Sequence, residues 1–233
     1  MEADMRDRFC TGLILAAGFS TRMKRFKPLL PLGSFASVLA RVVALWRSAG
    51  VEEVLVVSGH RACEVEAEAL RLGCTVVRNP HPEDGMFSSV LTGLRFLNEA
   101  PPLWTGVLPV DIPLIAPQTI RTLLAEAARF GDLETGTGTE TADCLLPEYS
   151  GKTGHPPLLH RRALPRILAC RGEGGLRGAM EGLVSVRVPV EDGFLNTDLD
   201  TPADYEKALD LVGGTGDPLA SARTQPECRT EHD

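Results

Sequence analysis

A short apolar run that passes directly into a loop of small and basic residues most constrains the fold of this chain. Residues 13–15 are Leu-Ile-Leu, which is typical of a buried strand. The small residues at 16–18 would let a bulky ligand approach the main chain closely. Ser20, Arg22 and Lys27 then supply a hydroxyl group and two positive charges. Because a polyphosphate needs free main-chain N–H groups and fixed cations, this segment predicts phosphate binding at the end of a strand.

The order of these residues excludes three common motifs. The segment lacks the glycine–lysine order of a P-loop, the three glycines of a dinucleotide-binding turn and the spacing of a hydrolase nucleophile elbow. The alternative interpretation is an ordinary strand-to-helix turn with solvated basic side chains. Either cation alone would favour that alternative, whereas the complete string favours phosphate binding.

Apolar runs alternate with helical patterns through the rest of the chain, which predicts an α/β fold with a largely parallel sheet and helices on both faces. A first helix is predicted between Ser34, a candidate cap, and Gly50. Further strands are predicted at 53–58, 74–77, 105–110, 143–148, 156–159 and 184–190. Further helices are predicted at 62–72, 88–98, 117–130, 161–169, 175–182 and 202–212.

The length of 233 residues is enough for one sizeable core, so a single domain is expected over 11–212 after an N-terminal extension at 1–10. Residues 131–141 carry no apolar periodicity, which predicts a flexible surface excursion rather than a domain boundary. Residues 213–233 are polar with glycine and proline, which predicts a disordered tail.

The composition narrows the class of partner and the compartment. A net charge of −7 without a basic stripe argues against nucleic-acid binding, although a few local cations suffice for a nucleotide. The six cysteines are scattered without a Cys-x-x-Cys pair, and we find no secretory signal or long apolar span. We therefore expect a cytoplasmic protein with free thiols and no membrane association.

Two acidic segments are candidates for holding a divalent cation. Asp111 follows an apolar run, at the kind of strand end where open α/β sheets bind ligands. A carboxylate that faces a triphosphate there would hold Mg²⁺, although Asp111 could instead cap the next turn. Asp198 and Asp200 are two residues apart and would face the same side of an extended chain. Thr201 or Asp200 could also cap the helix that follows.

A third segment begins at Gly85, which opens a predicted helix. The free N–H groups of that helix, together with Ser88 and Ser89, could bind an anionic or polar ligand. The alternative is that Ser88 is only a helix cap and that Met86 and Phe87 belong to the core.

These segments together resemble one enzyme family. Residues 15–27 resemble the signature L-A-[AG]-G-x-S-x-R-M-x-x-x-K of the nucleotidyltransferases that activate the molybdenum cofactor, and of the wider NTP-transferase superfamily. Residues 85–94 resemble the family segment G-M-x-S-S-[LV]-x-x-G-L, and residues 198–204 resemble D-[IL]-D-T-P-[EA]-D. Asp111 stands in a D-x-P-L segment, and Lys24 stands where the family usually has glycine.

The resemblance implies a three-layer α/β/α fold with a mixed sheet, of the nucleotide-diphospho-sugar transferase type. It implies transfer of a nucleoside monophosphate from an NTP to a phosphorylated acceptor, with release of pyrophosphate. The implied catalytic residues are Arg22, Lys27 and Asp111. The implied nucleotide-binding residues are Leu15, Ala16, Ala17, Gly18, Ser20, Arg22, Lys27, Gly85, Ser88 and Ser89.

The family resemblance also implies a divalent cation, Mg²⁺ with Mn²⁺ as the alternative, bound by Asp111 and by one of Asp198 and Asp200. We expect Asp198 to be that second ligand, because Asp200 has a competing role as a helix cap. Two further segments, residues 151–159 and 172–178, resemble acceptor-side segments of the family. They make His155 and Arg177 candidate acceptor-binding residues, with a structural histidine and a solvated arginine as the alternatives.

The implied acceptor is the molybdenum cofactor, a molybdopterin phosphate, with a molybdoenzyme or a chaperone as protein partner. Within the family, Leu-Ala-Ala-Gly accompanies cytidylyl transfer and Leu-Ala-Gly-Gly guanylyl transfer, so Ala17 favours CTP over GTP. Three alternatives remain open: a guanylyltransferase, a sugar- or alcohol-phosphate nucleotidyltransferase, and a nucleotide-binding subunit without catalytic activity.

Overall fold

The apolar runs of the sequence form one eight-stranded sheet in the computed structural model, which describes residues 9–23, 25–130, 141–213, 217 and 219. The strands are β1 (Cys10–Leu15), β2 (Val54–Ser58), β3 (Thr75–Arg78), β4 (Trp104–Pro109), β5 (Cys144–Tyr149), β6 (Lys152–Thr153), β7 (Leu158–His160) and β8 (Ser185–Pro189).

The strand order is β3-β2-β1-β4-β7-β5-β6, with β8 beside β5. Strands β1 to β4 are parallel, β7 runs antiparallel to both of its neighbours, and β8 is parallel to β5. The predicted mixed sheet is therefore confirmed. Since β4 and β5 point the same way, the carboxyl ends of β1, β4 and β5 lie along one edge of the sheet.

Seven α-helices occur in the described residues: α1 (Val38–Ser48), α2 (Ala62–Arg71), α3 (Met86–Leu97), α4 (Pro117–Ala127), α5 (Leu164–Leu168), α6 (Gly175–Ala179) and α7 (Pro202–Gly213). Helices α1, α2, α4 and α7 cover one face of the sheet, and α3, α5 and α6 cover the other. Alternate strand residues divide accordingly, so that Ile14 joins the first core and Leu13 the second. The predicted three-layer α/β/α architecture is confirmed.

The first helix packs closely on the centre of the sheet because two strand residues lack side chains. Trp46 of α1 is fully buried across β1 and β4. A Cβ atom at Gly12 would lie 2.7 Å from the Trp46 ring, and one at Gly106 would lie 2.3 Å from it. This packing fixes α1 over the two strands whose ends border the site described below.

Several element boundaries differ from the sequence prediction. Helix α1 is capped by Ser37, whose hydroxyl accepts a hydrogen bond of 2.9 Å from Ala40 N–H, rather than by Ser34. Ser34 instead lies in the turn between Leu32 and Phe35, which pair with each other. Helix α3 begins two residues earlier than predicted, at Met86, and the short strand β6 was not predicted.

Of the predicted tail at 213–233, Gly213 ends α7 and two later residues are described, both of them buried. Asp217 binds Arg41 of α1, and Leu219 belongs to the first core. Lys24, residues 131–140 and the remaining tail residues lie outside the described part of the chain. None of the helices in the described residues has the length and apolar character that crossing a membrane requires.

Candidate active site

The carboxyl ends of β1 and β4 border a pocket of about 330 Å³. Its walls come from the loop after β1, the start of α3, the turn after β4 and the segment before α7. Ten of the residues that line it matter for its chemistry: Leu15, Ala17, Gly18, Phe19, Ser20, Arg22, Lys27, Ser89, Asp111 and Asp200. The pocket therefore brings together most of the residues that the sequence selected from four separate segments.

A shared ammonium group is the centre of this pocket. The Nζ atom of Lys27 lies 3.0 Å from Oδ2 of Asp111 and 3.0 Å from Oδ1 of Asp200. Arg22 binds the other oxygen of Asp200 through Nη1 at 2.9 Å. The side chain of Lys27 is 11% exposed, whereas that of Arg22 is 77% exposed. Lys27 is thus a buried charge inside the pocket and Arg22 an exposed charge at its rim.

Burial and the two carboxylates act in opposite directions on Lys27. Desolvation by burial alone would lower the pKa of the Lys27 ammonium, but the charges and hydrogen bonds of Asp111 and Asp200 raise its pKa above the ordinary value. The hydrogen bond from Lys27 holds the pKa of Asp200 below its usual range. At neutral pH the ammonium is charged and the Asp200 carboxylate is ionised.

The loop after β1 is held in a conformation that leaves its N–H groups available. Ser20 adopts a left-handed backbone conformation, with φ of 53°, and its hydroxyl accepts a hydrogen bond of 3.1 Å from Lys27 N–H. Gly59 approaches the loop so closely that a Cβ atom there would lie 2.7 Å from Ala17 Cβ. Within the described residues, the main-chain N–H groups of 17–22 have no protein acceptor. This loop can therefore donate several hydrogen bonds to an anion.

The start of α3 forms the opposite wall. Gly85 precedes the helix with φ of 90°, a conformation that favours glycine, and no side chain caps the helix there. Ser89 faces the pocket, whereas the Ser88 hydroxyl contacts the Gly85 carbonyl at 2.8 Å and lines a neighbouring cavity. The buried Asn79 donates to both hydroxyls, at 2.8 and 3.0 Å, and so fixes this wall to the end of β3.

The two candidate acids before α7 have different positions. Asp200 lines the pocket and contacts Lys27, whereas Asp198 is exposed and is not among the lining residues. The cap of α7 is Thr201: its hydroxyl accepts from Asp204 N–H at 3.3 Å, and Asp204 accepts in turn from Thr201 N–H at 2.9 Å. The capping role that counted against Asp200 is therefore filled by its neighbour, and the Asp200 carboxylate is free to enter the pocket.

Three other candidates lie outside the pocket walls. Ala16 is fully buried, and its N–H donates to Val57 O at 2.9 Å, which extends the pairing of β1 with β2. His155 lies half-buried beside β4, with Nδ1 3.4 Å from Val107 O. Arg177 is an exposed residue of α6, which packs against α3.

His155 is nevertheless electrostatically close to the pocket. Burial lowers the pKa of its imidazole, and the negative charges of Asp111 and Asp198 partly oppose that shift. The imidazole is neutral at pH 7, and its interactions with the charges of Asp111 and Asp198 indicate that it lies near the pocket.

The donor set of the pocket fits a divalent cation of the magnesium type. Asp111 and Asp200 together hold one cationic atom, the Lys27 Nζ, at 3.0 Å from each. Carboxylate oxygens are the ligands that Mg²⁺ and Mn²⁺ prefer, and Mg²⁺ needs only one or two of them when phosphate oxygens complete its shell. Among the described residues there is no cluster of three or more His, Cys, Asp or Glu side chains that would hold a metal alone. The site therefore suits a metal that arrives with a phosphate ligand.

Two residues of the site carry no signal in the sequence. Asn79 stands in a stretch whose composition indicates only a loop, and its contacts with α3 exist only after folding. Phe19 occupies an unspecified position of the family signature, yet the residue is 44% exposed, lines the pocket and packs at a tilted angle against the His60 ring, with 4.8 Å between the ring centres. Only the structure shows that a half-exposed aromatic ring forms part of the pocket wall beside Gly18 and Ser20.

The comparison with known sequences gives one family and several relatives. Residues 12–188 match the family of MobA-like NTP transferase domains. A bifunctional IPC transferase and DIPP synthase from Rubrobacter xylanophilus is 32% identical over 86% of this chain, which spans 51% of that relative's length. The molybdenum cofactor cytidylyltransferase of Escherichia coli K12 is 23% identical over 83% of this chain and 92% of its own length.

Solved structures share the fold. A nucleotidyl transferase from Methanothermobacter matches with a TM-score of 0.71 and 22% identity, over 88% of this chain and 97% of that one. The manganese complex of Rv0371C from Mycobacterium tuberculosis H37Rv matches with a TM-score of 0.62 and 24% identity, over 86% and 98% of the two chains. At these identities the likeness shows the arrangement of helices and strands.

Proposed function

The chain belongs to the family of MobA-like NTP transferase domains and is a nucleotidyltransferase, and on that premise we propose that it transfers CMP from CTP to a molybdopterin-type acceptor phosphate. Pyrophosphate is the second product. The observation that carries the proposal is the convergence of Lys27, Asp111 and Asp200 at 3.0 Å beside a loop with free N–H groups. Such a site binds a triphosphate and a divalent cation side by side.

The proposed reaction needs positioning and charge neutralisation, and no covalent intermediate with the protein. An oxygen of the acceptor phosphate attacks the α-phosphorus of the nucleotide in line with the departing pyrophosphate. The N–H groups of residues 17–22 hold the triphosphate, while Lys27 and Arg22 stabilise negative charge as it moves to the pyrophosphate. Asp111 and Asp200 would hold Mg²⁺ or Mn²⁺, which when bound neutralises phosphate charge.

The choice of CTP rests on the loop after β1 and on one relative. Ala17 occupies the position at which the cytidylyl and guanylyl members of the family differ, and the Escherichia coli relative is a cytidylyltransferase. On the acceptor side, the proposal assigns His155 and Arg177. With the Nδ1 proton directed at the Val107 carbonyl, the neutral imidazole of His155 can accept a hydrogen bond from the acceptor through Nε2, and the exposed guanidinium of Arg177 can bind the acceptor phosphate.

A second candidate acceptor is a sugar or alcohol phosphate. The identity of 32% to the IPC transferase and DIPP synthase over 86% of this chain favours it. The pocket chemistry is the same for both acceptors, because the triphosphate site does not depend on what the acceptor phosphate is attached to. Transfer of GMP instead of CMP is the remaining alternative within the family.

Pyrophosphate release measured over a panel of substrates tests the proposal. Each of the four NTPs is paired with molybdopterin and with sugar and alcohol phosphates, with and without Mg²⁺ or Mn²⁺. We expect release only with a divalent cation, fastest with CTP and molybdopterin. Release with CTP and an alcohol phosphate alone would transfer the assignment to the second acceptor, and equal rates with and without metal would refute the role of Asp111 and Asp200.

A further inference from the structure

A buried ion pair lies behind the active-site pocket and joins the end of the described chain to the turn that carries Asp111. Arg41 of α1 and Asp217 form a two-pronged pair, with both N–O distances 2.8 Å and side-chain exposures of 1% and 2%. The third guanidinium nitrogen, Arg41 Nε, donates to the carbonyl of Pro113 at 3.0 Å. Pro113 is two residues after Asp111, in the turn that follows β4.

The turn that carries Asp111 has few other constraints. Proline has no N–H group, so a hydrogen bond can hold the main chain at Pro113 only through its carbonyl. The two other bonds of the turn are Ile112 N–H to Pro109 O at 3.2 Å and Leu199 N–H to Asp111 O at 2.8 Å. The second of these links Asp111 to the segment that carries Asp200. Arg41 therefore supplies one of three hydrogen bonds to the main chain of this turn, while the Lys27 ammonium binds the Asp111 carboxylate itself at 3.0 Å.

The guanidinium of Arg41 is itself oriented by Asp217. Two parallel N–H···O bonds fix the plane of a guanidinium group, and so fix the direction in which Nε points. Asp217 is held in place by the N–H of Leu219, which donates to Oδ1 at 3.0 Å, and by the burial of Leu219 in the first core. A buried ion pair contributes little net stability compared with apolar side chains of similar volume. Its distinctive effect here is to set the orientation of the Arg41 guanidinium.

We propose that Asp217 is a positioning residue for the nucleotidyl transfer: through Arg41 and the Pro113 carbonyl it holds Asp111 at the distance from Asp200 that cation binding requires. The inference rests on the proposed function of Asp111. Asp217 lies beyond residues 12–188, the part of the chain that matches the family. Asp217 thus acts on the site from behind, without touching the substrates.

The test replaces the ion pair with apolar side chains, Arg41→Met combined with Asp217→Leu in the full chain. This double variant keeps the core filled but removes the donor to Pro113. A matched control, Arg162→Met combined with Asp143→Leu, removes an ion pair at the opposite edge of the sheet, before β5. Two readouts are measured for all three proteins: amide hydrogen exchange at Leu199 and Ile112, and the affinity for Mn²⁺ followed by electron paramagnetic resonance with CTP present and no acceptor.

We expect faster exchange at both amides and a rise of about ten- to a hundredfold in the Mn²⁺ dissociation constant in the double variant, with the control unchanged. A fall in kcat with an unchanged KM for the nucleotide should accompany it. If exchange and Mn²⁺ affinity equal those of the wild type, Asp217 is only a structural residue and the inference fails. If the wild type itself releases no pyrophosphate, the proposed function fails, while the exchange readout still decides whether Asp217 positions the turn.

Should the double variant not fold, Asp217→Asn, which keeps the side-chain shape, takes its place with the same expectations.

Discussion

Lys27 is both buried and shared between two carboxylates, so its charge acts at a defined point in the pocket. We predict that Lys27→Met lowers the rate of pyrophosphate release by about 10²–10³, because a neutral side chain no longer stabilises the charge that develops on the leaving group. Steady-state kinetics with CTP and acceptor measure the effect. The matched control is Lys207→Met, at an exposed position of α7, which should retain the wild-type rate.

Circular dichroism should show that the Lys27→Met protein is folded. A folded variant with a near-normal rate would contradict the assignment of Lys27.

Asp200 and Asp198 offer a comparison between two carboxylates that are two residues apart. We predict that Asp200→Asn weakens Mn²⁺ binding and lowers activity by at least about tenfold, because only Asp200 reaches the atom that Asp111 also contacts. Asp198→Asn, at an exposed position, should change either quantity by less than about twofold. Mn²⁺ titration of both variants measures the difference. A larger loss in Asp198→Asn would restore the sequence-based preference for Asp198.

At the scale of elements, the N-terminus of α7 determines where Asp200 points. Thr201 and Asp204 form a reciprocal pair of hydrogen bonds that starts the helix directly after Asp200. We predict that Thr201→Ala destabilises the protein by about 1 kcal/mol, because one helix N–H group loses its acceptor. The midpoint of thermal unfolding should fall by about 2–4 °C. Thr201→Ser keeps the hydroxyl and should unfold within a degree or so of the wild type; equal midpoints for alanine and serine would contradict the cap.

The sequence predicted those helices and strands whose determining residues lie within a few positions of one another. The run at 13–15, the helix opened by Pro117 and the acids before α7 each have their structural cause within a few residues of chain. The cap of α1 was assigned to Ser34 instead of Ser37 because both residues are serines near the helix start, and only the turn between Leu32 and Phe35 decides between them.

The site was predictable as far as its motifs extend and no further. Asn79, which fixes the wall at α3, and Asp217, which orients Arg41, act through contacts with distant segments. Neither Asn79 nor Asp217 belongs to a periodic pattern, and the sequence separation between each residue and its partner gives no sign of the contact. The choice between Asp198 and Asp200 had the same origin, since it depends on which of two adjacent residues, Asp200 or Thr201, caps α7.

At the scale of the whole molecule, the two ends of the central strands have different roles. The carboxyl ends of β1 and β4 border the polar pocket. At the opposite end of β4 lies a buried imidazole, that of His160 of β7, which packs edge-on against the Trp104 ring with 4.9 Å between the ring centres. Burial, aided by the charge of Arg162, lowers the pKa of His160 to about 4. His160, at the end of the strands away from the pocket, therefore makes the stability of the fold sensitive to acid.

The sign of this sensitivity follows from proton linkage. In the unfolded chain His160 has a pKa near the ordinary value of 6.5, so below that pH the unfolded state binds a proton that the folded state excludes until about pH 4. We predict that His160 removes about 2–3 kcal/mol of stability between pH 7 and pH 4.5, and that His160→Gln, which does not titrate, loses that much less over the same range. Urea unfolding at both pH values measures it, with His81→Gln, at an exposed histidine, as the control that should follow the wild type. Equal losses for His160→Gln and the wild type would show that His160 is not the group responsible, because every other titrating side chain is common to the two proteins.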